Sequence, residues 1–146
     1  MTSEEEYTFS ELMGILTNME EKISKFYEKV AQKVEDTKLK DLFFSFSKRA
    51  LQEKDSLTET RRRTVTEMTL ETITGLKLSE KLAKINSVIE SEEIELSKLV
   101  ELEELLSELY ETVSKKVAHI SADVSFLLDD LSREHGKRRR SIEKTK

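Results

Sequence analysis

The chain says nearly the same thing twice. Met19 to Ala31 reads MEEKISKFYEKVA, and Leu102 to Ser114 reads LEELLSELYETVS. In each copy a glutamate stands seven residues before a tyrosine, Glu20 before Tyr27 and Glu103 before Tyr110, with an apolar residue directly ahead of each. That interval is two helical turns, so glutamate and tyrosine share one stripe, and their apolar neighbours turn it toward a core. A carboxylate written twice into an inward-facing stripe is expensive to bury and demands a reason.

The repetition continues past the tyrosines. Leu42-Phe43-Phe44-Ser45-Phe46-Ser47-Lys48-Arg49 follows the first copy and Leu127-Leu128-Asp129-Asp130-Leu131-Ser132-Arg133-Glu134 follows the second; Phe43, Phe46 and Ser47 answer to Leu128, Leu131 and Ser132. Two helical hairpins are therefore expected. Duplicated hairpins bury each other's apolar faces most simply as an all-α antiparallel four-helix bundle. A length of 146 residues suits one domain, residues 1–146, with a core large enough to need no staple.

Composition agrees. The chain has no proline and no cysteine, and its only glycines are Gly14, Gly75 and Gly136. Such a chain favours long helices, and the lack of cysteine removes disulfides and cysteine-ligated metal sites and fits an intracellular protein. With 25 basic and 30 acidic residues the net charge is only -5, and the signs are mixed along most helices. No apolar run approaches the roughly 20 residues that a membrane span needs, and the acidic start Ser3-Glu4-Glu5-Glu6 is unlike a signal peptide. The expectation is a soluble, cytoplasmic protein without a membrane partner.

Along the chain, Thr8-Phe9-Ser10-Glu11 has the form of a capping box that starts the first helix near Phe9, with Tyr7 and Leu12 spaced as a hydrophobic staple. Leu12, Leu16, Met19, Ile23, Phe26, Tyr27, Val30 and Val34 form its core stripe. Glu35-Asp36-Thr37 is a short break before a second, antiparallel helix through Leu39, Leu42, Phe43, Phe46, Ala50 and Leu57. From about Thr60 the pattern weakens, and the threonine-rich stretch Thr64 to Thr74, with Gly75, predicts that the second helix frays or bends ahead of a long crossover, approximately residues 64–90, holding a short helix around Ser79 to Ile85. Ser87 or Ser91 is the expected cap of the third long helix. A turn follows near His119 to Ser121, then a fourth helix carrying Val124, Leu127, Leu128 and Leu131 into a basic tail, residues 137–146.

These residues resemble the rubrerythrin-like branch of the ferritin-like superfamily, from about Phe9 to Ser141. The resemblance implies a ferritin-like bundle in which the first and third long helices each give a metal-ligating glutamate ahead of a Phe-Tyr or Leu-Tyr element, here Glu20 and Glu103. The second and fourth helices of that family each give a Glu-x-x-His pair to a di-iron centre. Aligning Phe43 to Ser47 and Leu128 to Ser132 with the family's element puts Ala50 and Glu53, and His135 and Arg138, at those positions. All four depart from the pattern: alanine has no side-chain ligand, and arginine offers only donors.

The resemblance thus implies a degenerate di-iron site. One expectation is a buried ion-pair layer of Glu20, Glu103 and Arg138 standing where the family holds metal, with no cofactor and no catalytic residue. The alternative is an altered mononuclear or di-metal site on Glu20, Glu53, Glu103 and His135, suited to iron, manganese or zinc, and a rubrerythrin-like oxidoreductase or metal-handling role. Homo-oligomerisation, as a dimer, is the expected partnership, with a protein partner as another.

Other chemistry finds little purchase. Arg61-Arg62-Arg63 and Lys137-Arg138-Arg139-Arg140 are phosphate-contact candidates, but helical periodicity spreads each run around its axis and the net charge is acidic, which argues against nucleic acid. There is no phosphate-binding glycine loop and no Glu-x-x-His. Hydrolase and kinase chemistry have no support.

Overall fold

Thr8 starts the first helix as its spacing requires. Its hydroxyl accepts from the Glu11 amide at 3.1 Å while the Glu11 carboxylate accepts from the Thr8 amide at 3.2 Å, closing the capping box. The computed structural model describes residues 5–68 and 72–145, with side chains in the second helix described as far as 64. Its elements are β1 (Glu6–Thr8), α1 (Phe9–Lys33), α2 (Thr37–Met68), β2 (Thr72–Thr74), α3 (Leu78–Ile89), α4 (Leu96–Val117) and α5 (Ala122–Glu143). Among the described residues the protein is all-α but for that pair of three-residue strands, and no helix is long and apolar enough to cross a membrane.

The chain divides into two compact units, Thr8–Leu70 and Met1–Tyr7 with Glu71–Lys146. The first is the α1–α2 hairpin. Leu12, Leu16, Ile23, Val30 and Tyr27 of α1 are fully buried, with Phe43, Ala50 and Leu57 of α2. Burial of one such large apolar side chain stabilises by about 1.5–3 kcal/mol, so the stripe is what holds the hairpin closed. Tyr27 is central to it, its ring stacked on Phe43 at 5.9 Å and edge-on to Phe46 at 5.3 Å. At the hairpin's turn the Asp36 carboxylate accepts from the Leu39 amide and caps α2.

The second unit is built on the α4–α5 hairpin, with α3 against α4. Leu102, Leu106, Tyr110, Val113 and Val117 face a core with Val124, Leu128 and Ile142. The turn expected near His119 is there, at residues 118–120, and Ser121 caps α5 by accepting from the Val124 amide.

Three boundaries differ from what the sequence predicts. Where the second helix is expected to fray or bend, α2 remains helical as far as Met68; residues 69–71 of that stretch lie outside the described residues. Thr58 and Thr64 turn their hydroxyls back onto the carbonyls of Lys54 and Thr60, at 2.9 and 2.7 Å, and so stay in the helix without competing for its ends. Arg61 adds an anchor. Its guanidinium reaches α1, donating to the Ser10 hydroxyl from Nε at 3.2 Å and Nη2 at 2.9 Å, over Gly14, where a Cβ would lie 3.1 Å from Nη1.

The crossover also differs. Its helix is longer than the expected Ser79 to Ile85, because Leu78, Ile85 and Val88 are buried at helical spacing and carry α3 on to Ile89. Neither Ser87 nor Ser91 caps α4. Ser87 lies inside α3, Ser91 gives its hydroxyl to the Glu93 carbonyl, and α4 begins after Glu95 with no side-chain cap. The third difference is the β1–β2 pair, which the helical composition concealed.

Candidate polar layer in each hairpin

Both repeated glutamates are wholly buried, as their shared stripe with tyrosine requires. Four residues after each stands a serine, Ser24 after Glu20 and Ser107 after Glu103, and each is paired with the repeat's other serine. Ser24 Oγ donates to the Ser47 carbonyl at 2.9 Å and Ser47 Oγ to the Ser24 carbonyl at 2.8 Å. In the second hairpin Ser107 Oγ donates to the Ser132 carbonyl at 2.9 Å, and Ser132 Oγ to the Ser107 carbonyl at 2.7 Å. Each latch needs two small side chains facing across antiparallel helices. The geometric match means that the two hairpins share one register, not merely one pattern.

That register fixes the inner positions of the site. One turn past Ser47, α2 presents Ala50 and then Glu53, both buried; one turn past Ser132, α5 presents His135 and then Arg138, both buried. In the first hairpin, carboxylate oxygens of Glu20 and Glu53 lie within 4.8 Å of each other. Two buried carboxylates so close repel one another, and require a proton, a metal cation or a cationic side chain nearby.

The second hairpin answers the same question with its own residues. His135 Nδ1 lies 2.5 Å from Glu103 Oε2, and neither side chain is exposed. With Glu103 ionised, Nδ1 carries the proton and donates it, which leaves Nε2 to accept in the neutral ring or donate in the imidazolium. The Tyr110 ring lies parallel to the imidazole, centroids 5.5 Å apart at 7°, and holds its plane. Arg138, 1% exposed, follows one turn along α5.

The structure therefore places Glu20, Glu53, Glu103, His135 and Arg138 all in buried positions. It joins Glu20 to Glu53 in one hairpin and Glu103 to His135 in the other. The serine latches escaped sequence reading at Ser24 and Ser107, although each follows its glutamate by one helical turn. The basic runs are broken up as periodicity expects: Arg61 folds onto α1, Arg62 pairs with Glu59 at 3.6 Å, Arg138 is buried, and Arg139 pairs with Glu143 at 3.3 Å. His119 is exposed in its turn.

Comparison with protein-family models, with curated proteins and with solved structures finds no match to this chain.

Proposed function

We propose that the protein is a non-catalytic, ferritin-like four-helix bundle of the cytoplasm, a scaffold or protein-interaction module whose ancestral di-iron centre has given way to a polar layer made of protein. The Glu103–His135 pair carries this reading. A carboxylate at a family ligand position is engaged by an imidazole, and where the family would place a histidine this chain buries Arg138, a fixed cation that cannot ligate metal. In this reading Arg138 supplies the positive charge of the polar layer in the α4–α5 hairpin, where Glu103 supplies the negative. Its role is fold specificity more than net stability, because buried ion pairs often little more than break even against apolar substitutes.

A second reading has its own support in the Glu20 and Glu53 oxygens, which lie within 4.8 Å of each other. Buried carboxylates at that separation are a fragment of a hard-cation site, and Glu103 with His135 is an oxygen and nitrogen donor pair in the other hairpin; such donors suit iron, manganese or zinc. A carboxylate-oriented histidine is also what metal sites use to fix a ligating ring. The chain would then be an altered metal-handling protein or a rubrerythrin-like oxidoreductase.

Metal analysis separates the two. Protein purified without chelator, then loaded anaerobically with iron(II), manganese(II) or zinc(II) and desalted, is expected to retain far less than one metal per chain. Near-stoichiometric retention, lost in Glu53→Gln, overturns the first reading in favour of the second.

A further inference from the structure

We propose that the groove between α4 and α5, beside the serine latch of the second hairpin, binds a small zwitterion, its anionic group on Arg140 and its ammonium on Glu108 and the latch oxygens.

Gly136 lies well inside α5, where glycine costs helix stability relative to alanine and needs a reason. Packing within the chain supplies none. At Gly14 an added Cβ would stand 3.1 Å from Arg61 Nη1, whereas at Gly136 its nearest neighbours would be Arg140 Nη1 at 3.7 Å and Ser107 Oγ at 3.9 Å, both ordinary contact distances. The hairpin has room for a methyl group there and leaves the space open. That space forms part of a groove of about 380 Å³, within the range of small-ligand sites, between Glu104 and Glu108 on α4 and Arg133, Lys137 and Arg140 on α5.

Most charges round the groove are answered by the chain itself. Arg133 is held by Asp129 and Asp130, Lys137 meets Glu134 at 3.5 Å, and Arg139 meets Glu143 at 3.3 Å and Glu104 at 4.0 Å. Two charges are left over, one on each wall: Arg140 and Glu108 have no ion-pair partner among the described residues. The unmet demand is therefore one anion and one cation.

The latch decides which end takes which. Ser107 and Ser132 each commit their hydroxyl proton to the other's carbonyl, so their oxygens have only lone pairs left to offer the groove. Lone pairs beside the Glu108 carboxylate suit an ammonium. The Arg140 guanidinium, drawn back over Gly136, suits a carboxylate or a phosphate. Because Arg140 Nη1 and Ser107 Oγ stand 3.7 and 3.9 Å from the same point, one compact molecule with a short chain between its charges bridges them. A lone anion or a lone ammonium would satisfy one half and leave the other unmet.

Titrations of the nitrogen-15-labelled full chain at neutral pH test this, with phosphoethanolamine and β-alanine as probes and inorganic phosphate and ethanolamine as controls. At least one zwitterion is expected to shift the Gly136 and Ser107 amide signals to saturation at one molecule per chain, in the millimolar range. Phosphate and ethanolamine alone are each expected to bind roughly fivefold more weakly, and Arg140→Gln and Glu108→Gln each to weaken the zwitterion by a similar factor. Gly136→Ala is expected to abolish the shifts while its urea midpoint stays level or rises, a combination that a glycine kept for packing would not give. No saturable shift with either zwitterion, phosphate alone binding as tightly, or binding indifferent to Gly136→Ala would overturn the proposal.

Discussion

The imidazole of His135 and the carboxylate of Glu103 meet at 2.5 Å in a fully buried pocket of the α4–α5 hairpin, under the ring of Tyr110. Removing one member strands the other away from water, where an uncompensated buried charge costs about 3–5 kcal/mol. Glu103→Leu and His135→Phe are each expected to lower unfolding free energy by about 3 kcal/mol in urea titrations. The double variant is expected to lose clearly less than the sum of the two. Strict additivity would mean that the pair is not coupled.

The serine latches make a paired prediction across the repeat. Ser47→Ala and Ser132→Ala each remove one donor from a reciprocal pair whose carbonyl acceptors still hold their own helical bonds, a loss of about 1 kcal/mol. Ser47→Leu and Ser132→Leu force the helix backbones apart and are expected to cost about 3 kcal/mol or more. Chemical denaturation of the four variants checks both steps. Similar losses in the two hairpins are expected, and a leucine variant as stable as the alanine one would contradict the close approach.

Gly14 separates propensity from tertiary contact. Alanine there gains about 1 kcal/mol of helix propensity, and its Cβ would crowd only the mobile tip of Arg61, 3.1 Å away. Arg61 would lose part of its grip on Ser10. Because that contact is only partly buried, Gly14→Ala is expected to leave stability unchanged or raise it by a few tenths of a kcal/mol. A fall of more than about 1 kcal/mol in the same assay would mean that Arg61 is fixed far more firmly than its contacts suggest.

Glu5 predicts an acid-sensitive corner. Hydrogen bonds from the Ser79 hydroxyl, then from the Tyr7 hydroxyl, hold its carboxyl below the usual carboxylate range. A lowered folded pKa means that the stabilisation is present above the ordinary value of 4.5 and is lost as pH falls through the folded one. Protection of the Ser79 amide, which donates to Glu5 at 3.2 Å, is therefore expected to be full at neutral pH and to fall in acid below that value. In Glu5→Gln the acid step should vanish; its persistence would assign the transition to another group.

How much of this was legible follows from the range of the forces. The repeat, the capping box at Thr8, the inward glutamates and the turn at His119 are local or periodic, and the sequence carries them directly. α2 stays helical to Met68, past the threonines from which propensity alone predicts fraying, and at Arg61 it is tied back to Ser10, a contact between residues far apart in sequence. Ser87 and Ser91 had the form of caps, but burial of Ile85 and Val88 drew α3 across the first and a loop carbonyl took the hydroxyl of the second. Sequence spacing offers His135, the partner of Glu103, only as one ligand among several. The pairing depends on the register that the serine latches set, which no spacing rule states.

The most direct test is the imidazole of His135 itself. In protein labelled with nitrogen-15, two-dimensional spectra of the histidine rings report which ring nitrogen carries the proton, and diamagnetic zinc can be added without loss of signal. The account predicts a protonated Nδ1 and ring nitrogen shifts unmoved by one equivalent of zinc(II), with the signals of exposed His119 as internal control. A metal-induced shift of the His135 Nε2 resonance, saturating at one zinc per chain, would contradict it.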